Sequence, residues 1–380
     1  MKIRDVVLDY RHAFTQDALT WTFNIDLKDP VTEFKVWFYV KNNVKGADPN
    51  WYFPYPLPYF IKRIEVIDGS EVIASIRGHQ AVSVSCFDLG YAPLHWHQEL
   101  PGMSQYWCFP IRFGRDLTDP NWIFDPDRFR NPQLRITWDL GNPIPVGAGG
   151  FLTQSVMMTW WAKVMEEGAD PVGYLMTKEV KAYTPAGPGD LVTYLPTDFP
   201  HRKLFVRSYF FNGGMSDGLT HLKLSQDQDK WIPFDLNSAD FIWLMKNWFT
   251  EVQFHGKHYV EDNAIREHFG GEYAHGLVSG ATATEIVTVR GWATNCFMVD
   301  AISQAAVVPD HDNRIEAWSM GMTRMPFDTY CYPFGDQQNA ADWLQVSPMS
   351  NLRLILTHAA DPGAGDYHQT EIICQQAHPY

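Results

Sequence analysis

The sequence predicts an all-β chain built from two tandem copies of one β-module. Three observations carry this: short alternating segments dominate, turn residues separate them, and one motif series occurs twice. The length of 380 residues suits two domains of about 190. Hydrophobic residues make up 45% and aromatic residues 15%, enough apolar surface to exclude disorder. With 25 Pro and 27 Gly spread along it, a long-helix or coiled-coil protein is excluded as well. The formal charge of −14 and the lack of a basic tail argue against direct nucleic-acid binding.

Taken in order, residues 1–14 place Ile3, Val6, Val7, Tyr10 and Phe14 on a helical stripe. They are expected to form an N-terminal arm that packs on the chain's own sheets or meets a partner or membrane surface. This opening lacks the unbroken apolar core of a signal peptide. No segment reaches the roughly 18 apolar residues of a spanning helix, and the richest, 151–162, is broken by Thr153, Gln154, Ser155 and Thr159. Residues 20–27 and 33–40 alternate as strands, and 61–67 run into the hairpin pair Asp68-Gly69 before Val72 and Ile73. Further strands are expected at 134–138, 156–161, 203–211, 285–289, 352–357 and 371–374. One internal helix is expected where Phe241, Leu244, Met245, Trp248 and Phe249 repeat at helical spacing behind Asn237 and Ser238. The Pro/Gly-rich stretches 184–190 and 195–200 mark the expected boundary, giving modules at 15–196 and 197–380. The five cysteines (Cys86, Cys108, Cys296, Cys331, Cys374) form no Cys-x-x-Cys pair, which fits reduced thiols in a cytosolic setting.

The repeat sets the organisation. Tyr106-Trp-Cys-Phe-Pro-Ile-Arg-Phe-Gly114 and Thr329-Tyr-Cys-Tyr-Pro-Phe-Gly335 share aromatic-Cys-aromatic-Pro followed by Phe-Gly. Trp122 and Trp343 follow, then Leu134-Arg-Ile136 and Leu352-Arg-Leu354. A fainter echo links Ile67-Asp-Gly69 to Phe254-His-Gly256. Loop insertions account for the small drift in spacing, and the physical reading is a duplicated turn followed by a buried strand.

This pattern resembles the double jelly-roll major capsid proteins of tailless icosahedral DNA viruses. The resemblance rests on Ile64–Gly69, on Phe109–Phe113 through Leu134–Trp138, and on Tyr332-Pro-Phe334 through Asn351–Leu356. It implies two tandem eight-stranded jelly-roll barrels with short helices in the connections. It also implies a structural subunit without catalytic residues or cofactor, which trimerises into pseudo-hexagonal capsomers of an icosahedral virion shell. Implied partners are two further copies, neighbouring capsomers, penton and minor capsid proteins, and an inner membrane reached through the N-terminus. Assembly in the host cytoplasm is implied too.

Other residue clusters offer weaker chemistry. His95-Trp-His97-Gln-Glu99 would put three metal-ligand types on one strand face, as in cupin barrels, but Pro93 and Pro101-Gly102 suggest a loop, and no catalytic metal is expected. His255-Gly-Lys-His258 reads as a turn, and Gly147–Gly150 lacks the Lys-Ser/Thr of a phosphate loop. Glu166, Glu167, Asp125 and Asp127 read as solvated acids. The Pro-interleaved aromatics of 51–60 suit subunit contact or a barrel cover. The alternative to a capsid subunit is a carbohydrate-active or cupin-like β-sandwich protein.

Overall fold

The computed structural model describes the chain except at residues 42–55, 99–103, 143–154, 211–214, 261–263, 268–274, 281–286, 291–296, 301–314, 348 and 360–367. Its first module contains β1 (Lys2–Phe14), β2 (Ala18–Asn24), β3 (Val31–Lys41), β4 (Ile61–Asp68) and β5 (Glu71–Ile76). Helix α1 (Gly78–Leu89) follows, then β6 (His95–Gln98), β7 (Ser104–Arg112), β8 (Pro132–Asp139) and β9 (Val156–Glu167). Two sheets face each other, in the orders β1-β9-β3-β7 and β2-β8-β4-β5, with β6 paired outside β7. Period-two alternation fills the space between them. Phe34, Val36, Phe38 and Val40 of β3 are fully buried, as are Leu134 and Ile136 of β8, and Trp107, Trp138 and Trp160 complete the core.

The second module repeats the plan with β10 (Gly173–Tyr183), β11 (Gly189–Tyr194), β12 (His201–Phe210), α2 (Met215–Gly218), β13 (Leu219–Gln226), β14 (Trp231–Asn237) and α3 (Ser238–Met245). An insertion then supplies β15 (Val252–Val260), β16 (Ala264–Glu267), β17 (His275–Gly280), β18 (Val287–Arg290), β19 (Phe297–Asp300) and β20 (Ile315–Thr323). The module closes with β21 (Thr329–Pro333), β22 (Leu352–His358) and β23 (His368–Pro379). Its sheets run β10-β23-β12-β21 and β11-β22-β13-β14. Counted along each module without β6 and the insertion, both follow the order 1-8-3-6 and 2-7-4-5. This is the order of an eight-stranded jelly roll.

The duplicated motifs fall on equivalent elements. Cys108 and Cys331 lie on the sixth strand of each barrel, and the two Leu-Arg segments lie on the seventh, β8 and β22. The echo between 67–69 and 254–256 has no such basis, because the first is a hairpin end and the second lies in the insertion.

Two expectations are corrected, and one helix is added. Residues 2–14 form a sheet-edge strand, paired with β9 from Lys2↔Glu167 to Phe14↔Val156, so they are neither a helix nor a separate arm. The sheet supplies partners for their backbone groups, and bulges along the pairing blur the period-two pattern. The expected boundary at 196/197 falls inside the second barrel, since β10 and β11 pair with β23 and β22. The change of barrel occurs in the short connection 168–172, where Gly168 takes φ +92°. The Pro/Gly-rich stretches are turns between β10, β11 and β12. Helix α1, finally, has no counterpart in the sequence reading.

Candidate functional site

The residues with the densest polar chemistry lie where the barrels meet, and α1 organises them. At its start Gln80 Oε1 accepts from the Arg77 backbone N–H at 2.9 Å, and Gly90 ends it in the left-handed region. All of 78–87 is buried, because one face packs on β4 and β7 and the other on β12, β21 and β23.

At the N-terminal end, the buried Glu371 carboxylate of β23 accepts from His79 Nε2 at 2.7 Å, Gln80 Nε2 at 2.6 Å and Arg207 Nη1 at 3.2 Å. Arg77 lies 3.3 Å from it and 2.6 Å from Glu179. Burial opposes ionisation of Glu371, but His79 and the two guanidiniums hold its carboxyl well below the usual carboxylate range. Burial likewise pushes His79 down to about 4, so at neutral pH it is a neutral donor.

At the other end, Asp88 meets Lys203 Nζ at 2.6 Å and Arg202 Nη1 at 2.9 Å. Burial would raise its carboxyl, yet these two cations hold it far below the usual range. Lys203 also donates to the Phe87 carbonyl at 3.1 Å, satisfying a helix C-terminal acceptor. Burial opposes the charge of Arg207, but Glu371 beside it keeps the guanidinium protonated, and the cations here are spent on carboxylates and carbonyls. This chemistry suits clamping.

The two duplicated turns also meet. Trp122 and Trp343 have ring centroids 5.6 Å apart, and Arg115 Nη1 donates to the Gln338 carbonyl at 2.5 Å. Each turn is tied by an acid caught from its own loop. Asp119 accepts from Arg115 N at 3.0 Å, and Asp342 accepts from Asp336 N at 2.7 Å. Both glycines are crowded there: a Cβ on Gly114 would stand 2.6 Å from the Trp122 carbonyl, and one on Gly335 2.1 Å from that of Asp342.

A third feature is the outer face of the first barrel's β1-β9-β3-β7 sheet. Trp37, Tyr39, Tyr106, Met157, Thr159 and Trp161 line a groove of about 450 Å³ there. Trp37 lies 5.3 Å from Tyr106 and 5.9 Å from Trp161 between ring centroids. The outer face of the matching sheet in the second barrel is covered by α1.

Among the described residues, the candidates named from sequence gather into no common site. His95 has both ring nitrogens engaged: Nδ1 with the Pro93 carbonyl at 2.7 Å, and Nε2 accepting from His255 N at 2.9 Å. Burial pushes it down to about 4. His97 Nδ1 faces Gln105 Oε1 at 3.1 Å. Glu99 and Gly147–Gly150 lie outside the described residues, as does the side chain of His258. Glu166 pairs with Arg4 and Glu167 with Lys2, while Asp125 accepts from Arg128 at 3.3 Å. Of the aromatic run, Leu57–Phe60 form a buried 3-10 turn and 51–55 lie outside the described residues. Sequence reasoning missed the clamp. Its acids, Asp88 and Glu371, stand in segments that mix His, Gln, Ser and Thr with apolar residues, and nothing local marks them for burial.

No family model and no curated protein matches the sequence. Solved structures do. The major capsid protein of STIV aligns over 100% of this chain and 97% of its own, with TM-score 0.59 and 9% identity. The major capsid protein P2 of bacteriophage PM2 aligns over 100% and 98%, with TM-score 0.53 and 9% identity. A capsid chain of the PBCV-1 virus aligns over 99% and 93%, with TM-score 0.54 and 12% identity. The chain has the double jelly-roll fold of these capsid proteins. In this double jelly roll the clamp around α1 fixes one barrel on the other, and the aromatic groove lies on the barrel face that α1 does not reach.

Proposed function

We propose that this double jelly roll is a major capsid protein, a structural subunit of an icosahedral virion shell. The observation that carries the reading is the match of both barrels together, over nearly the full length of each chain, to capsid subunits at TM-scores of 0.53 to 0.59. Two similar barrels per chain make a six-lobed tile at threefold symmetry, so the assembly unit is a homotrimer, and such tiles pave a shell. Neighbouring capsomers, penton and minor capsid proteins and an inner membrane are the partners this reading implies, and the virion its location, with assembly in the host cytoplasm. No catalytic role is assigned, because the polar side chains at the seam are engaged with one another. Negative-stain imaging and light scattering test the reading. Trimers or shells are expected; a stable monomer of 43.7 kDa at every concentration and salt would overturn it.

A further inference from the structure

We infer that the aromatic groove on the first barrel is the seat for helix α3 of a second copy of this chain. The internal contact supplies the template. In the second barrel, Lys203, Phe205 and Arg207 of β12 pair with Pro333, Cys331 and Thr329 of β21. In the first, Lys35, Trp37 and Tyr39 of β3 pair with Pro110, Cys108 and Tyr106 of β7. Because the sixth strands carry the duplicated motif, Lys35 stands where Lys203 stands, Trp37 where Phe205 stands and Tyr39 where Arg207 stands.

Those three positions of the second barrel are where α1 sits. Lys203 holds Asp88, the Phe205 ring lies 5.9 Å from Phe87, and Arg207 bonds the Glu371 that holds His79. Of their equivalents in the first barrel, Trp37 and Tyr39 line the open groove, beside Tyr10 and Arg11 of β1. A helix in the same relation to a second barrel exists once more in the chain. As α1 follows β5 and packs on β4 and β7, so α3 follows β14 and packs on β13 and β21.

One face of α3 is spent on its own barrel, with Phe241, Ile242 and Met245 buried. The other carries Trp243, 57% exposed with the Lys246 ammonium over its ring, and Trp248 follows at 38%. Two exposed indoles thus face outward, one on the helix that repeats α1 and one in the turn after it, and an aromatic groove lies open on the sheet that repeats the covered one. Aromatic anchors in a groove are the kind of contact that carries binding energy between chains. The acid of the internal contact, Asp88, has no equivalent on α3, and Lys35 is held within its own barrel by Glu33 at 3.1 Å. The contact between copies is therefore aromatic where the internal one is ionic. It is head-to-tail, so it propagates from chain to chain and closes as a ring.

The choice of a second copy as occupant rests on the trimeric-tile reading, and the test separates the two. Chains grown in ¹⁴N and ¹⁵N media, with a benzophenone amino acid replacing Trp243, are mixed before assembly, irradiated and digested. Mixed-isotope links from position 243 to peptides holding Trp37 or residues 157–161 are expected. W37A and W243A should each raise the dissociation constant of the oligomer by roughly 30-fold or more, with W231A as an unaffected control. W243A changes an exposed side chain, so its folding is not at stake. An oligomer whose links fall elsewhere overturns the inference and leaves the proposed function standing. A monomer throughout overturns both. A monomer whose tryptophan fluorescence is quenched by soluble oligosaccharides would make the groove a sugar-binding face instead.

Discussion

Glu371 has no exposed surface and faces Arg207 on the neighbouring strand and Arg77 across the seam, a geometry in which removing one charge costs far more than the pair contributes. E371Q should lower stability by about 3–5 kcal/mol in urea titrations, with most of the loss coming from the guanidiniums left behind. The buried histidines set the pH response. His79, His95 and His368 are each pushed down to about 4 by burial, from an ordinary value of 6.5. Between these values the unfolded chain binds protons that the folded chain refuses, so stability falls as pH drops from about 6.5 toward 4 and is unaffected by these groups above it. Denaturation midpoints at pH 7.5, 6 and 5 check this; a flat series would contradict it. The glycines of the duplicated turns give a third expectation. G114A meets a carbonyl at 2.6 Å, whereas G335A meets one at 2.1 Å and also sits at φ +59°, so G335A should melt lower.

Helix α1 shows at the scale of the element why some of the fold was legible and some was not. Strands with one face inward announced themselves by alternation, as β3 and β22 did. The helix expected around Phe241 was legible because α3 buries only one stripe. By contrast, α1 reads Gly-His-Gln-Ala-Val-Ser-Val-Ser-Cys-Phe-Asp-Leu and is buried on nearly every side, so no stripe marks it. The same burial predicts its behaviour: amides of 82–87 should exchange as slowly as those of β23 in hydrogen-exchange mass spectrometry. D88N should speed exchange at the end of α1 and in β12 together, since Lys203 and Arg202 lose their shared anion. The clamp was illegible for a related reason. Its members come from β10, β23 and β12, neighbours in one sheet, and from α1, which only the barrel-to-barrel packing lays against them. The duplicated turns were legible because each is local: a glycine that admits a carbonyl and an acid a few residues on. The misplaced boundary has the opposite cause, since Pro and Gly mark turns equally well inside a barrel.

For the whole molecule, the net charge of −14 opposes close approach of copies. At about 0.15 M salt the screening length is roughly 8 Å, so repulsion between proposed tiles falls steeply as salt is added. Light scattering should show larger assemblies with increasing sodium chloride, and divalent cations acting at lower concentration. Contact between the barrels within one chain should change little over the same range, because Asp88 and Glu371 are shielded from solvent.

The connection at 168–172 gives the two barrels a local concentration of order millimolar for each other. At that value a seam that would dissociate at about 1 μM between separate molecules stays about 99.9% closed. A clamp of buried charges, whose net contribution is small, is therefore sufficient between tethered barrels. The same clamp would fall apart between free chains at the nanomolar concentrations of early expression. Tethering also halves the number of bodies that must meet to close the proposed six-barrel ring, from six to three, and leaves no step at which the order of the barrels can be mistaken.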